Sequence, residues 1–303
     1  MPKRIFIFLA ILLCISVAIG CGRRKDGVQL EYDKEGQLKG RYTYEKGVLK
    51  GKFLEYDSKG NVIVEGTIDS GIRDERRYTY NLNGGTRSIA HYRNNKRNGP
   101  TQELDESGAV EVEAYYKDDQ LHGPMKTFAA GGILESEKYY ESNMLHGLAR
   151  EFKGGQLKSE KNYVQNRLHG ISKEYFSSGK VQFEKNYKED MLEGITKEYD
   201  MNGRLIHEYV YNAGQLASNK EFYETGMVMR ETLLENGKAV WVKEHYPRGG
   251  LMREKFLKEG HPAQINEYYE NGVVMYRKYY ERGALVRSEE FDIQGNFLQT
   301  KNY

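Results

Sequence analysis

The sequence predicts an all-β chain, an elongated antiparallel sheet of about twelve β-hairpin repeats of 23–24 residues. Three observations carry that expectation. A column of glycines runs from Gly36 through Gly60, Gly84, Gly108 and onward to Gly295, with gaps of 24 or 23 throughout. Eleven positions after each glycine except the last stands a second turn residue, always Gly, Asn or Asp, as in Gly47, Asn95, Asp190 and Gly283. Aromatic and aliphatic columns fill the short segments between these reversals. Self-similarity at this period is the signature of a repeat array.

The first element is a leader. Lys3 and Arg4 precede an apolar run from Ile5 to Ile19, broken only by Ser16, which is the layout of a secretory signal peptide over residues 1–20. The run is short for a bilayer-spanning helix of about 20 apolar residues. Ala18-Ile19-Gly20-Cys21 resembles a bacterial lipobox. That resemblance implies cleavage before Cys21 and diacylation of its thiol. A plain signal peptide and an uncleaved anchor are the alternatives. Gly22 in place of Asp implies, by resemblance to diderm lipoproteins, the outer membrane as destination. Residues 21–27 then form a lipidated stem. Cys14 leaves with the leader and Cys21 carries lipid, so no thiol remains for a disulfide, zinc or nucleophilic attack.

The composition of the remainder fits a thin sheet. Mean hydropathy is −0.79 and 38% of residues are hydrophobic, which argues against a multi-span membrane protein and against one thick core. The 46 Lys and Arg offset 44 Asp and Glu, and both excess cations lie in the leader. The balance excludes the large net charge of compositional disorder. It also supplies no field to draw nucleic acid.

Residues 28–303 form the repeat domain. The segments between reversals are too short for a helix with its connections, and their aromatic and β-branched columns suit a pleated, half-buried surface. One column holds Leu38, Val62, Val181 and Val274, and a second, six residues on, holds Tyr44, Ile68, Tyr187 and Tyr280. An even offset places both on one face of a regular strand. Twenty-four strands at about 4.8 Å give a sheet on the order of 110 Å long, coiled by strand twist and stabilised between neighbouring units. Leucine-rich repeats share the period but not the double set of turn residues; a parallel β-helix is the more serious rival. The units from Arg73 to Leu104 fit least well, with Glu75 in place of a recurring glycine and Leu104 in place of an aromatic.

The pattern, with Leu168-His169-Gly170 through Lys173-Glu174-Tyr175 and Gly179 as its clearest copy, resembles the bacterial variant of the MORN (membrane occupation and recognition nexus) repeat. The resemblance covers residues 28–303. It implies a sheet of successive hairpins. Some bacterial proteins of this type are labelled antitoxin components, and related eukaryotic repeats act as scaffolds or membrane-apposed modules.

Candidate sites follow from departures within the repeat. His122, His146 and His169 invite a metal, but equivalent positions lie two strands apart, about 10 Å, and ligands of one zinc ion lie within about 2.3 Å of it. No metal and no cofactor is expected. Glutamate columns such as Glu151, Glu174 and Glu198 run beside Lys173 and Lys197, as cross-strand charge compensation requires. No nucleophile elbow, phosphate loop or nucleotide fingerprint occurs, so no enzymatic activity is expected. In the last units the second face turns apolar: Met229, Met252 and Met275 recur every 23 residues, beside Leu233, Phe256 and Tyr279. These six residues are the candidate partner-binding face, unless the sheet coils back and buries them. The expected function is a non-enzymatic, lipid-anchored cell-envelope scaffold that binds an unknown protein partner and reaches the membrane through its N-terminal lipid. An antitoxin-like or immunity-like protein and a membrane- or glycan-surface module are the alternatives.

Overall fold

The computed structural model describes residues 26–81 and 84–303. The expected signal peptide and the expected lipidation site Cys21 lie outside the described residues. The fold is all-β, with 27 strands and no helix among the described residues, and none long and apolar enough to cross a membrane. The chain divides into two compact units, Met1–Glu75 and Arg76–Tyr303. The division falls in the region where the repeat pattern is weakest.

In the first unit, Gly27–Tyr32, Leu38–Glu45, Val48–Tyr56 and Val62–Asp69 pair antiparallel in chain order. Phe53 and Glu75 are its most deeply buried side chains. The Phe53 ring stacks on Tyr42 at 6.2 Å and lies 4.4 Å beneath the Arg73 guanidinium. Arg73 bonds Glu55 at 2.6 Å and also pairs with Glu75. Glu75 fits where a glycine was expected because glycine has moved to position 66. A Cβ on Gly66 would lie 2.9 Å from the Glu75 Cα.

In the second unit each strand likewise pairs antiparallel with its chain neighbour, as in Val181–Lys188, Gly194–Tyr199, Leu205–Asn212 and Gln215–Phe222. Two kinds of reversal alternate. At one, two consecutive residues take positive φ: Lys46 and Gly47, Asp118 and Asp119, Glu189 and Asp190, Ala213 and Gly214. That is the type I′ turn favoured by right-twisted hairpins. At the other, Asp33, Asp57, Asp105, Asp200 or Asp292 opens a loop closed by the column glycine. There the glycine N–H donates to the Asp carbonyl, and Oδ1 accepts two further backbone N–H groups.

The turns also bond laterally. Asp119, Asn143, Asn166 and Asp190 each accept, through Oδ1 at 2.7–2.8 Å, the N–H of the residue 21 or 22 positions earlier, Arg97, Leu121, Leu145 and Leu168. Each donates its own N–H to the same residue's carbonyl. At the opposite turns the hydroxyls of Tyr223, Tyr246 and Tyr269 donate to the carbonyls of His245, Tyr268 and Phe291, each 22 residues on, at 2.7–3.1 Å. A sheet without a deep centre is thus braced along its turns.

The expectation that the two apolar columns share one face is corrected by the register. Glu174 pairs with Phe183 and Tyr175 with Val181, so Gln182 is an extra residue and a β-bulge interrupts the strand. Adjacent Glu174 and Tyr175 point to opposite faces, and so do their partners, two residues apart. The same bulge recurs at Lys39, Ile63, Glu111, Met229, Met252 and Met275. A second irregularity explains the shorter period after Gly203, whereas the 23-residue step from Gly132 to Gly155 comes from the two-residue turn Gly154-Gly155. Units ending at Gly194 carry two extra residues after the tight turn, as between Leu192 and Ile195; later ones carry a single extra residue, Ala217, Val240, Ala263 or Val286. The splitting of three strands at His146, His169 and Glu193 comes from the same wide bulge, whose N–H groups donate to Tyr139, Asn162 and Asn186 carbonyls.

Candidate binding face

Directly paired residues of neighbouring strands share a face. Ile195 pairs with Val210, Val210 with Ser218, Ser218 with Leu233, Leu233 with Trp241, Trp241 with Phe256, Phe256 with Gln264, Gln264 with Tyr279 and Tyr279 with Arg287. One residue per strand therefore builds a row perpendicular to the strands. Three of its apolar members are exposed, Ile195 by 50%, Leu233 by 42% and Phe256 by 38%, and Val210, Trp241 and Tyr279 are half-buried. Earlier hairpins continue the same repeat position with exposed Tyr115 beside Pro100, Tyr139 beside Pro124, and Ile171 beside Asn186.

The row is flanked by charge that alternates in sign from strand to strand. Lys197, Glu208, Lys220, Glu231, Lys243 and Glu254 pair in succession on the same face, alternating in sign. The Trp241 indole N–H donates to Glu254 at 3.0 Å, and the Lys243 ammonium lies 4.1 Å from the Trp241 ring centroid. Tyr279 donates to Glu289 at 3.2 Å and carries the Arg287 guanidinium 4.4 Å from its ring centroid.

The opposite face carries denser charge pairing. Glu244 is buried among Arg253 at 3.1 Å, Lys255 at 2.8 Å and Arg230 at 3.3 Å. Burial raises its pKa, and the Lys255 bond with the charges of Lys255, Arg253 and Arg230 more than offsets this, holding the carboxyl below its usual range. On the apolar-row face, Glu160 is held low by bonds from Arg150 and the Tyr175 hydroxyl. That phenol is pushed up to about 12, first by burial and then by the Glu160 bond. A depression of about 270 Å³, lined by Glu151, Lys158, Ser159, Lys161, Glu174, Tyr175 and Gln182, holds cations and carboxylates in equal number. Among the described residues no group of three His, Cys, Asp or Glu side chains is placed to hold a metal ion.

Of the six residues expected to bind a partner, the structure brings Leu233, Phe256 and Tyr279 into one row. Met229, Met252 and Met275 are the unpaired residues of the bulges, half-buried and four residues away along their strands, about 13 Å. The sequence reading missed Trp241 and Ile195, which lie on the returning strands, and Tyr115 and Tyr139, which occupy the same repeat position as Leu233. For the tyrosines the signal was present in their register.

The repeat has a known counterpart. Residues 25–46 and 168–189 match the MORN repeat variant. Both segments begin in the same phase, run through a loop closed by a column glycine and stop at the first residue of a tight turn. The MORN-variant unit is therefore the hairpin closed by the Gly loop, joined to the next by a type I′ turn. No curated protein matches the chain. Among solved structures, a mutant of TarM from S. aureus in complex with fondaparinux, α-GlcNAc-glycerol and UDP is 14% identical over 35% of this chain and 21% of its own, at a TM-score of 0.25. The TcdB2-TccC3-TEV structure is 13% identical over 91% of this chain and 17% of its own, at 0.24. A mutant Tc holotoxin pore of Photorhabdus luminescens is 12% identical over 91% and 16%, at 0.22. The chain spans about a fifth or less of those chains' lengths.

Proposed function

We propose that the protein is a non-enzymatic scaffold of the cell envelope, tethered by acylated Cys21, whose hairpin sheet binds another protein along the row containing Leu233, Trp241, Phe256 and Tyr279. The row, with Leu233 and Phe256 exposed, Trp241 and Tyr279 half-buried, and charge of alternating sign beside it, is the observation that supports this reading. A contiguous exposed apolar patch is a usual mark of an interaction site, and aromatic anchors dominate binding energy. The paired charges beside it leave no strong field of either sign to select a polyanion.

The test is capture from envelope extract by the full-length protein and by its Leu233→Glu, Phe256→Glu double variant. Both side chains are exposed, so the melting temperature should hold while capture of specific proteins falls by about tenfold or more, the effect of losing two contacts of about 1 kcal/mol each. Unimpaired capture by the stable double variant would remove the row as the binding face.

A further inference from the structure

The row has a pitch, and the pitch selects the shape of what lies on it. Val210, Leu233, Phe256 and Tyr279 occupy equivalent positions of successive hairpins, two strands apart. Neighbouring strands are about 4.8 Å apart, so these four side chains recur every ~9.6 Å. A polyproline II helix has three residues per turn and rises about 3.1 Å per residue, bringing every third side chain back to one side each ~9.3 Å. Over the three intervals from Val210 to Tyr279 the two spacings drift apart by about 1 Å. A heptad-patterned α-helix repeats every ~10.5 Å and drifts by nearly 3 Å over the same span. A β-strand returns its side chains to one face every ~6.7 Å and matches neither one strand spacing nor two.

The side-chain chemistry agrees with the pitch. Proline-rich segments in this conformation dock against aromatic-lined surfaces, and the row presents exposed Phe256 and Leu233 with half-buried Trp241, Tyr279 and Val210 between and beside them. Such a segment has no internal hydrogen bonds, so its carbonyls seek donors. Lys243, over Trp241, and Arg287, over Tyr279, stand beside the aromatic rings. The segment brings no charge, which suits a row whose neighbouring Lys and Glu residues already answer one another.

We infer that the row binds a polyproline II segment of a partner protein, with an apolar residue at every third position seated on Val210, Leu233, Phe256 and Tyr279. This rests on the reading of the row as a protein-binding face and specifies its ligand. The experiment compares two dye-labelled twelve-residue peptides by fluorescence anisotropy with the full-length protein, one repeating leucine-proline-proline and the other leucine-proline-proline-proline. The expected result is binding of the period-three peptide at least about tenfold tighter than the period-four peptide, a difference lost in Leu233→Glu and in Phe256→Glu. Equal binding of the two peptides, or no binding of either, would overturn the inference without any variant having to fold. If neither peptide binds while envelope capture still depends on Leu233 and Phe256, the ligand assignment falls and the protein-binding reading stands. A dimer by light scattering that Phe256→Glu converts to monomer would assign the row to a second copy, and loss of lipid-vesicle binding in that variant would assign it to a membrane; either overturns the inference.

Discussion

The lateral bonds at the tight turns can be removed one at a time without disturbing the turns themselves, because the repeat supplies its own control. Six of the turns already carry glycine where Asn143, Asn166 and Asp190 stand in others, namely Gly47, Gly71, Gly214, Gly237, Gly260 and Gly283. Asp190→Gly therefore keeps the φ of 68° accessible and deletes the 2.7 Å acceptance from the Leu168 N–H. A hydrogen bond of this kind contributes about 1 kcal/mol net. Asp190→Ala loses the same bond and adds the left-handed penalty of about 1–2 kcal/mol, which aspartate's short polar side chain relieves by local bonding and a methyl group cannot. The ordering should be wild type, then Gly about 1 kcal/mol lower, then Ala about 2–3 kcal/mol lower. The three pins lie about 10 Å apart, so the triple glycine variant should lose about 3 kcal/mol, nearly additively. The reciprocal change is Gly214→Asn. Gly214 donates its N–H to the Leu192 carbonyl at 2.8 Å but has no side chain to accept the Leu192 N–H, so asparagine should recover a few tenths to 1 kcal/mol. Urea unfolding followed by circular dichroism measures each value. A glycine variant as stable as wild type, or a stable triple variant, would refute the claim that these side chains fasten hairpin to hairpin.

The opposite turns should respond in the same way: Tyr223→Phe, Tyr246→Phe and Tyr269→Phe each remove one part-buried hydroxyl bond and should cost about 1 kcal/mol in the same assay. The ionisable groups set the pH limits. Asp57, Asp105, Asp200, Asp292, Glu160 and Glu244 are held below their usual values, so the folded chain binds fewer protons than the unfolded one. Their contribution is fully present above about pH 4.5 and disappears as pH falls through the lowered values, which melts at pH 6 and pH 3 will show. Tyr175 and Tyr209 are raised to about 12, both chiefly by burial, so their contribution is present below pH 10 and lost between 10 and 12. Absorbance at 295 nm should register two phenols fewer in that late range for the Tyr175→Phe, Tyr209→Phe variant.

The features legible in the sequence were those that depend on residue type at one position. The second residue of each tight turn must tolerate positive φ, and the column of Gly, Asn and Asp showed it. The first residue of the same turns was invisible, because Lys46, Ser70, Ala213, Glu259 and Arg282 adopt positive φ there with no compositional signal. The bulge was invisible for a related reason. Its extra residue lies outside the paired ladder, so Lys39, Glu111, Gln182 and Met252 are all admissible, and the recurrence of methionine there read as a face. At the candidate site, Leu233, Phe256 and Tyr279 were legible as a drift from polar to apolar at one repeat position. Trp241 and Ile195 required the register, since they come from strands whose offset changes by one residue when the bulge narrows.

The same bulge joins stability to binding. A sheet two strands per repeat deep in sequence can lengthen its row only if each new hairpin presents its contact residue at the same height. A one-residue slip would move that residue to the opposite face. When the unit shortens from 24 to 23 residues after Gly203, the bulge loses one residue while the paired segment keeps its alternation, and Leu233, Trp241, Phe256, Gln264 and Tyr279 remain in line. The length change is absorbed beside the tight turn, where Gly214 bonds laterally to the Leu192 carbonyl, and in the shortened units the side-chain lateral bonds lie at the opposite turns, from Tyr223, Tyr246 and Tyr269. That division leaves the row residues with little work in folding: Leu233 and Phe256 are exposed, and the charges beside them answer one another. The composition of the row can therefore run from Asn162 and Asn186 through Val210 to Phe256 and Tyr279 along one backbone plan, because ligand chemistry at this position is decoupled from the turns and charge ladders that set stability.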